Sequence, residues 1–319
     1  MDGLSLTARG VGEFAVVEHL PDAVVVFFAA VTQLADVWFL FALLAAVYWF
    51  GDDRLAENPR RAGAVAIALV TCALAAVTLG KAAIAVPRPP TTPAVPTWLP
   101  GLLAEWFAGE IESDGFGFPS GHATGAIVAY GAFALLLDRV AAPRRRLIGA
   151  AVVVGAVAVS RVVIRVHYLA DIVVGAVLGV TVLAVGLWLA GDERLRPDRT
   201  GRPIDPVPVF LLAAVLAAAA VAAAVVGGHA EEVVSGGIGV GTAIGGAIGW
   251  RTLRGDEPPV PGRIAVPTLA VAGGIWIAVF VVEPAFPIAV VLTALTAAAV
   301  IAAPGLARRL ATDGRPSVS

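Results

Sequence analysis

The chain has 319 residues, 59% of them hydrophobic and 14% charged, with a mean hydropathy of +0.88. Water-soluble domains carry about a quarter charged residues and about half apolar ones, so a soluble enzyme is excluded. The formal net charge of −2 leaves no basic excess to neutralise phosphates along a polymer, which excludes nucleic-acid recognition.

In chain order, residues 1–23 lack a basic region running directly into an apolar core, so no secretory signal is read there. They are expected to form a short interfacial segment. Nine apolar runs near the ~20 residues that cross a bilayer follow. They fall at 24–50, 62–85, 119–138, 146–166, 168–190, 207–227, 233–250, 264–282 and 286–304. The first is overlong, about 40 Å at 1.5 Å per residue, and Gln33 and Asp36 interrupt it. Every connector is short except 86–118. The single cysteine, Cys72, sits in an apolar run and excludes an internal disulfide or a cysteine-based zinc cluster.

Arginines set the orientation. Alternate connectors and the tail hold seventeen of the 22 cations, at Arg54, Arg60, Arg61, Arg139, Arg144, Arg145, Arg146, Arg194, Arg196, Arg199, Arg202, Arg251, Arg254, Arg263, Arg308, Arg309 and Arg315. That side is read as cytoplasmic, which puts the N-terminus outside and the C-terminus inside a cell membrane. Five cations defy the rule: Arg9, Arg88, Arg161, Arg165 and Lys81, the only lysine. Charges at membrane depth are functional by default, and cations gathered on the outer side point to an anion site.

Three segments meet there. GKAAIAVPRPP puts Lys81 near the end of the second run and Arg88 seven residues on, in an extended turn stiffened by Pro87, Pro89 and Pro90. GFGFPSGHATG starts the third run with Ser120, Gly121 and His122 in a helix N-terminus, whose unpaired N–H groups favour an anion. SRVVIRVHYLADIVVG ends the fourth run with Ser160 and Arg161 and opens the fifth with His167 and Asp171, at i, i+4 on one face. A carboxylate on one imidazole nitrogen would fix the tautomer and leave the other nitrogen's lone pair to attack. Gly175 and Gly179 continue that face and admit a close neighbour helix.

These segments resemble the three signature motifs of the type 2 phosphatidic acid phosphatase superfamily, lipid phosphatases related to the vanadium haloperoxidases. The patterns K-x6-RP, PSGH and SR-x5-H-x3-D are met by Lys81, Arg88, Pro89, Pro119, Ser120, Gly121, His122, Ser160, Arg161, His167 and Asp171. The resemblance covers roughly residues 24–190. It implies that His167 attacks phosphorus to form a phosphohistidine, with Asp171 orienting it. His122 would protonate the leaving oxygen and then deprotonate water, while Lys81, Arg88, Ser120, Gly121 and Arg161 hold the phosphoryl oxygens. No cofactor or metal is implied. Arg165 departs from the family, whose members often carry a glycine or another small residue at that point.

The expected protein is an all-α polytopic membrane bundle of about nine transmembrane helices, with a phosphatase core of about six. Its division is 1–23 interfacial, 24–190 core, 191–206 cytoplasmic linker, 207–304 an appended four-helix region and 305–319 a cytoplasmic tail. The expected reaction is hydrolysis of a lipid phosphate or pyrophosphate monoester of the phosphatidate or polyprenyl type. A lipid phosphotransferase and a non-hydrolytic lipid phosphate transporter are the rivals. A metal set of His122, His167 and Asp171 is disfavoured by the cations around it. Asp36 is read as lying at the headgroups; Glu105, Glu110, Glu112 and Asp114 as solvating or covering the site; His229, Glu231 and Glu232 as solvated. The ladder Gly237, Gly241, Gly245 and Gly249 is read as close helix packing within the chain, with a homo-oligomer interface as the alternative.

Overall fold

The computed structural model describes residues 9–112, 115–252, 262–282 and 284–313. Of the described residues none forms a strand, and twelve α-helices build an all-α membrane bundle. In order they are α1 (Glu13–Val17), α2 (Asp22–Thr32), α3 (Val37–Phe50), α4 (Pro59–Ile84), α5 (Gly101–Glu110), α6 (Gly121–Leu136), α7 (Pro143–Val163), α8 (Leu169–Ala190), α9 (Val207–Gly227), α10 (Ala230–Arg251), α11 (Gly262–Val282) and α12 (Phe286–Asp313).

Local chemistry sets the boundaries. Asn58 accepts the Arg61 N–H at 3.0 Å, and Pro59 occupies the first turn of α4, where its missing N–H costs nothing. Gly191 and Gly228, both at positive φ, close α8 and α9. The two interruptions in the overlong first run act as their polarity suggests. A 3₁₀ turn at Gln33–Ala35 separates α2 from α3, and the two meet at a 47° bend.

Six helices are long and apolar enough to cross a membrane among the described residues, and the bent α2–α3 pair makes a seventh if it is one span. The expectation of nine changes at the third run. The third run yields only the 16 residues of α6, because Ser120 caps its start and the chain turns at Leu137. Helix α11 spans the 21 residues Gly262–Val282, with Pro267 inside it. The tail expected from residue 305 is helical as far as Asp313, and residues 314–319 lie outside the described residues.

The C-terminal helices are not a separate bundle. One continuous apolar core runs from Leu40, Leu44, Tyr48 and Trp49 on α3 through α4 to Val209 and Phe210 on α9, Ala243 on α10 and Ile301 on α12. Tyr48 donates its hydroxyl to the Ile301 carbonyl at 2.6 Å, and Trp49 its indole N–H to the Val300 carbonyl at 3.0 Å. Helix α4, buried along most of its length, is the axis on which α3, α6, α8, α9 and α10 pack.

The glycine ladder of α10 packs within the chain. A methyl group at Gly241 or Gly245 would strike the α12 backbone, at the Val290 and Ala294 carbonyls respectively. Gly237 and Gly249 face Phe286 and Ala298 of the same helix. The alternative of a homo-oligomer through this face is thereby corrected: α12 already covers it, and close backbone approach is what the glycines allow.

A smaller apolar cluster fastens the long connector. Phe107 and Ile111, on and just after α5, pack with Val25 and Ala29 of α2 and with Val163, Ile164 and Val166 at the α7–α8 turn. This places the connector over the end of the bundle where α4 and α7 finish and α6 and α8 begin. The arginine-rich loops gather at the other end, where Arg61 lies near Arg199, Arg202 and Arg251.

Candidate active site

The three motif segments converge at the connector end. A cavity of about 240 Å³ is lined by Lys81 from the last turn of α4, Arg88 from the connector, Gly121 and His122 from the first turn of α6, and His167 from the α7–α8 turn. Close packing assembles it. The Ser120 N–H donates to the Asp171 carbonyl at 3.1 Å, and Thr124 donates to the Gly175 carbonyl at 2.9 Å. A side chain at Gly175 would collide with the Ser120 carbonyl, at 2.6 Å from its first carbon, so glycine there lets α6 and α8 meet beneath the histidines.

His167 is 2% exposed and its Nδ1 lies 2.7 Å from the Gly117 carbonyl oxygen. A carbonyl can only accept, so Nδ1 carries the proton and Nε2 keeps its lone pair. Asp171 was expected to set this tautomer. Its Oδ2 stands 3.6 Å from Nδ1, longer than a hydrogen bond, and the connector's backbone does the orienting. Asp171 is instead engaged by Arg9, whose Nε and Nη2 donate to Oδ1 at 2.7 Å and Oδ2 at 3.2 Å. It also accepts the Tyr168 N–H at 3.0 Å, opening α8. Arg9 further donates to the Pro87 carbonyl at 3.0 Å and lies over the Tyr168 ring at 5.0 Å. Glu13 of α1 accepts the Leu169 N–H at 2.8 Å, so the interfacial segment is tied to the turn that carries His167.

His122 is held differently. Its Nε2 lies 2.7 Å from Asp36 Oδ1 at the bend of the first helix pair. A carboxylate only accepts, so this nitrogen carries a proton. Arg161 Nη1 approaches the same nitrogen at 3.5 Å and donates to Thr32 Oγ1 at 2.6 Å. Asp36, read only as lying at the headgroups, therefore partners His122 at the 47° bend of the first helix pair. Glu110 also takes part, accepting from Gln33 at 2.6 Å. Burial raises its carboxyl above the usual carboxylate range and the Asp36 charge adds to this, while the hydrogen bond from Gln33 works the other way.

The expected residues thus separate into two shells. Lys81, Arg88, Gly121, His122 and His167 line the cavity. Ser120, Arg161 and Asp171 are buried behind it. Ser120 has given its N–H to Asp171, and its hydroxyl accepts the Ala123 N–H at 3.5 Å. Arg88 donates to the Glu112 carbonyl at 3.2 Å, which anchors it across the connector. Arg165 adopts φ 57°, the left-handed region, which accounts physically for the small residue often found there in the resembling family.

One wall had no counterpart in the motifs. Glu232, Ser235, Gly236 and Gly239 of α10 line the same cavity, with Ala217 of α9. Glu232, read as solvated, stands in the cavity because α10 packs along α4. His229 meets Phe116 edge to face at 4.7 Å, joining the α9–α10 turn to the connector. Only the alternation of spans carried a hint of this, by returning the α9–α10 turn to the side of the motifs. Among the described residues no three His, Cys, Asp or Glu side chains converge as a metal-holding group.

Residues 62–195 match the family model of the PAP2 superfamily, the type 2 phosphatidic acid phosphatase superfamily whose motifs the sequence carries. The superfamily is generally one of phosphatases, and the match supports phosphatase-type activity on phosphate esters. Helices α1–α3 and α9–α12 lie outside the matched segment. No curated protein and no solved structure matches the chain.

Proposed function

We propose that this protein hydrolyses the terminal phosphate or pyrophosphate monoester of a lipid at the outer face of a cell membrane, through a phosphohistidine on His167 and without a metal. The observation that carries the reading is the pairing, in one cation-lined cavity, of His167 with its Nδ1 proton given to the Gly117 carbonyl and His122 with a carboxylate partner.

In the proposed first step the His167 Nε2 lone pair attacks phosphorus, the bond from phosphorus to the lipid oxygen breaks, and His122 gives that oxygen a proton. Lys81, Arg88 and the backbone N–H groups at the start of α6 hold the phosphoryl oxygens as charge builds on them. Water then attacks phosphorus, His122 takes its proton, the P–N bond breaks, and inorganic phosphate leaves with His167 restored. Arg161 acts from behind, through His122 and Thr32. Asp36 supplies the counter-charge of an imidazolium at His122, and Asp171 fixes the start of α8. The outward orientation rests on the arginine-rich loops at the opposite end of the bundle.

The test is phosphate release by the detergent-purified full chain and by His167→Ala, with excess EDTA, across lipid monophosphates and pyrophosphates. Release by wild type alone is expected. No release from any lipid by folded wild type, or equal release by both proteins, would overturn the assignment.

A further inference from the structure

A second cavity, of about 450 Å³, adjoins the first. Helices α3, α10, α11 and α12 wall it, and Phe41, Thr242 and Trp276 line both cavities. At this seam the Phe41 and Trp276 rings lie 5.4 Å apart, and the Trp276 indole N–H donates to Thr242 Oγ1 at 3.5 Å. Among the described residues no charged side chain lines the second cavity. Its other threonine, Thr296, donates to the Leu292 carbonyl at 2.7 Å, so the walls offer hydrocarbon contacts and little else.

The shape suits a chain. On α3 the lining runs from Trp38, two residues beyond Asp36, to Phe50 at the far end of the helix. At 1.5 Å per residue this is about 18 Å, slightly more than half of a hydrocarbon core of about 30 Å. Val266 and Ile277 on the α11 wall are 61% and 48% exposed, which leaves the cavity open sideways toward lipid.

We propose that this apolar cavity receives the hydrocarbon chain of the lipid whose phosphate enters the adjoining cationic cavity, so that α10–α12, outside the family match, select the substrate by its chain. The inference rests on the reading of the cationic cavity as a lipid phosphate site. Continuity through Phe41, Thr242 and Trp276 identifies the occupant: a ligand with an anionic head at Lys81 and Arg88 and an apolar tail meets matching surface without a break.

Gly273 provides the test, because it lines the cavity on α11 and a side chain there would meet open space. In the full chain, Gly273→Phe is expected to lower the ratio of hexadecyl phosphate to butyl phosphate turnover about tenfold. Gly149→Phe, on α7 and equally open, is expected to leave both rates at wild type. An unchanged ratio in Gly273→Phe, or the same fall in Gly149→Phe, would overturn the proposal. A second readout needs no turnover: hexadecyl phosphate bearing a mid-chain diazirine, irradiated with His167→Ala, is expected to label peptides of α3, α11 and α12. Label on α7 and α8 instead, or equal label from the corresponding alcohol, would mean that bulk lipid fills the cavity and would overturn it. Label in the cavity with no phosphate released by wild type would defeat the hydrolysis reading and leave the lipid site standing.

Discussion

The two sides of the cavity secure their histidines by opposite means. His167 is held from within the matched segment, by the Gly117 carbonyl, on a turn closed by Asp171. His122 sits in that segment too, but Asp36, and the Thr32 that holds Arg161 beside it, come from the bent first helix pair, outside the match. A neutral acceptor fixes a tautomer and leaves a lone pair free, which suits a nucleophile. A carboxylate can balance a ring that gains and loses a proton, which suits an acid and base. The matched segment thus carries both histidines, and the region beyond it gives a direct ring partner only to His122, while Arg9 and Glu13 steady the turn that carries His167.

Substitutions that exchange or remove these partners sharpen the contrast. The largest effect is expected for His167→Ala, at least about a thousandfold in phosphate release, since no other group in the cavity replaces a lost nucleophile. His122→Ala should lower kcat/KM, which reports the first chemical step, about a hundredfold or more on alkyl phosphates and far less on aryl phosphates, whose leaving oxygen needs little protonation. Equal losses on both substrates would break the assignment of roles. Asp36→Asn keeps a hydrogen-bond acceptor for His122 and removes the charge. A loss of roughly tenfold in kcat is expected, again smaller on aryl phosphates, whereas an unchanged kcat would reduce Asp36 to packing.

The smallest effect concerns the turn on the His167 side. Arg165 holds a left-handed conformation that costs a non-glycine residue about 1 kcal/mol. Arg165→Gly should raise the thermal midpoint in detergent with turnover kept. A fall in turnover with KM raised would instead give Arg165 a part in binding.

The same contrast explains what could be read in advance. Lys81, Arg88, Gly121, His122 and His167 were legible because each lies in a short segment that matches one of the three signature patterns by residue type and spacing. The apolar runs were legible because hydrocarbon demands length and composition, and among the described residues α6 and the bent first run depart from simple spans. Asp36 was read as a headgroup carboxylate because nothing in its local sequence names His122, 86 positions away, as its partner. Arg9 was counted among the cations that break the orientation rule, yet nothing in its local sequence names Asp171, 162 positions away, as its partner. Glu232 and the apolar cavity were hidden for a related reason: hydropathy finds helices without saying which neighbour each one meets. The four C-terminal helices therefore read as an addition, while packing makes α9, α10 and α11 a wall of the site.

The most direct measurement is a rapid-quench reaction of the His122→Ala chain with an aryl phosphate labelled at phosphorus, whose leaving oxygen needs little help from an acid. Loss of the base that activates water should let the covalent intermediate accumulate, and the label is predicted on the peptide containing His167, acid-labile and absent when His167 is also replaced. Turnover without label on that peptide, or label on another residue, would contradict the account.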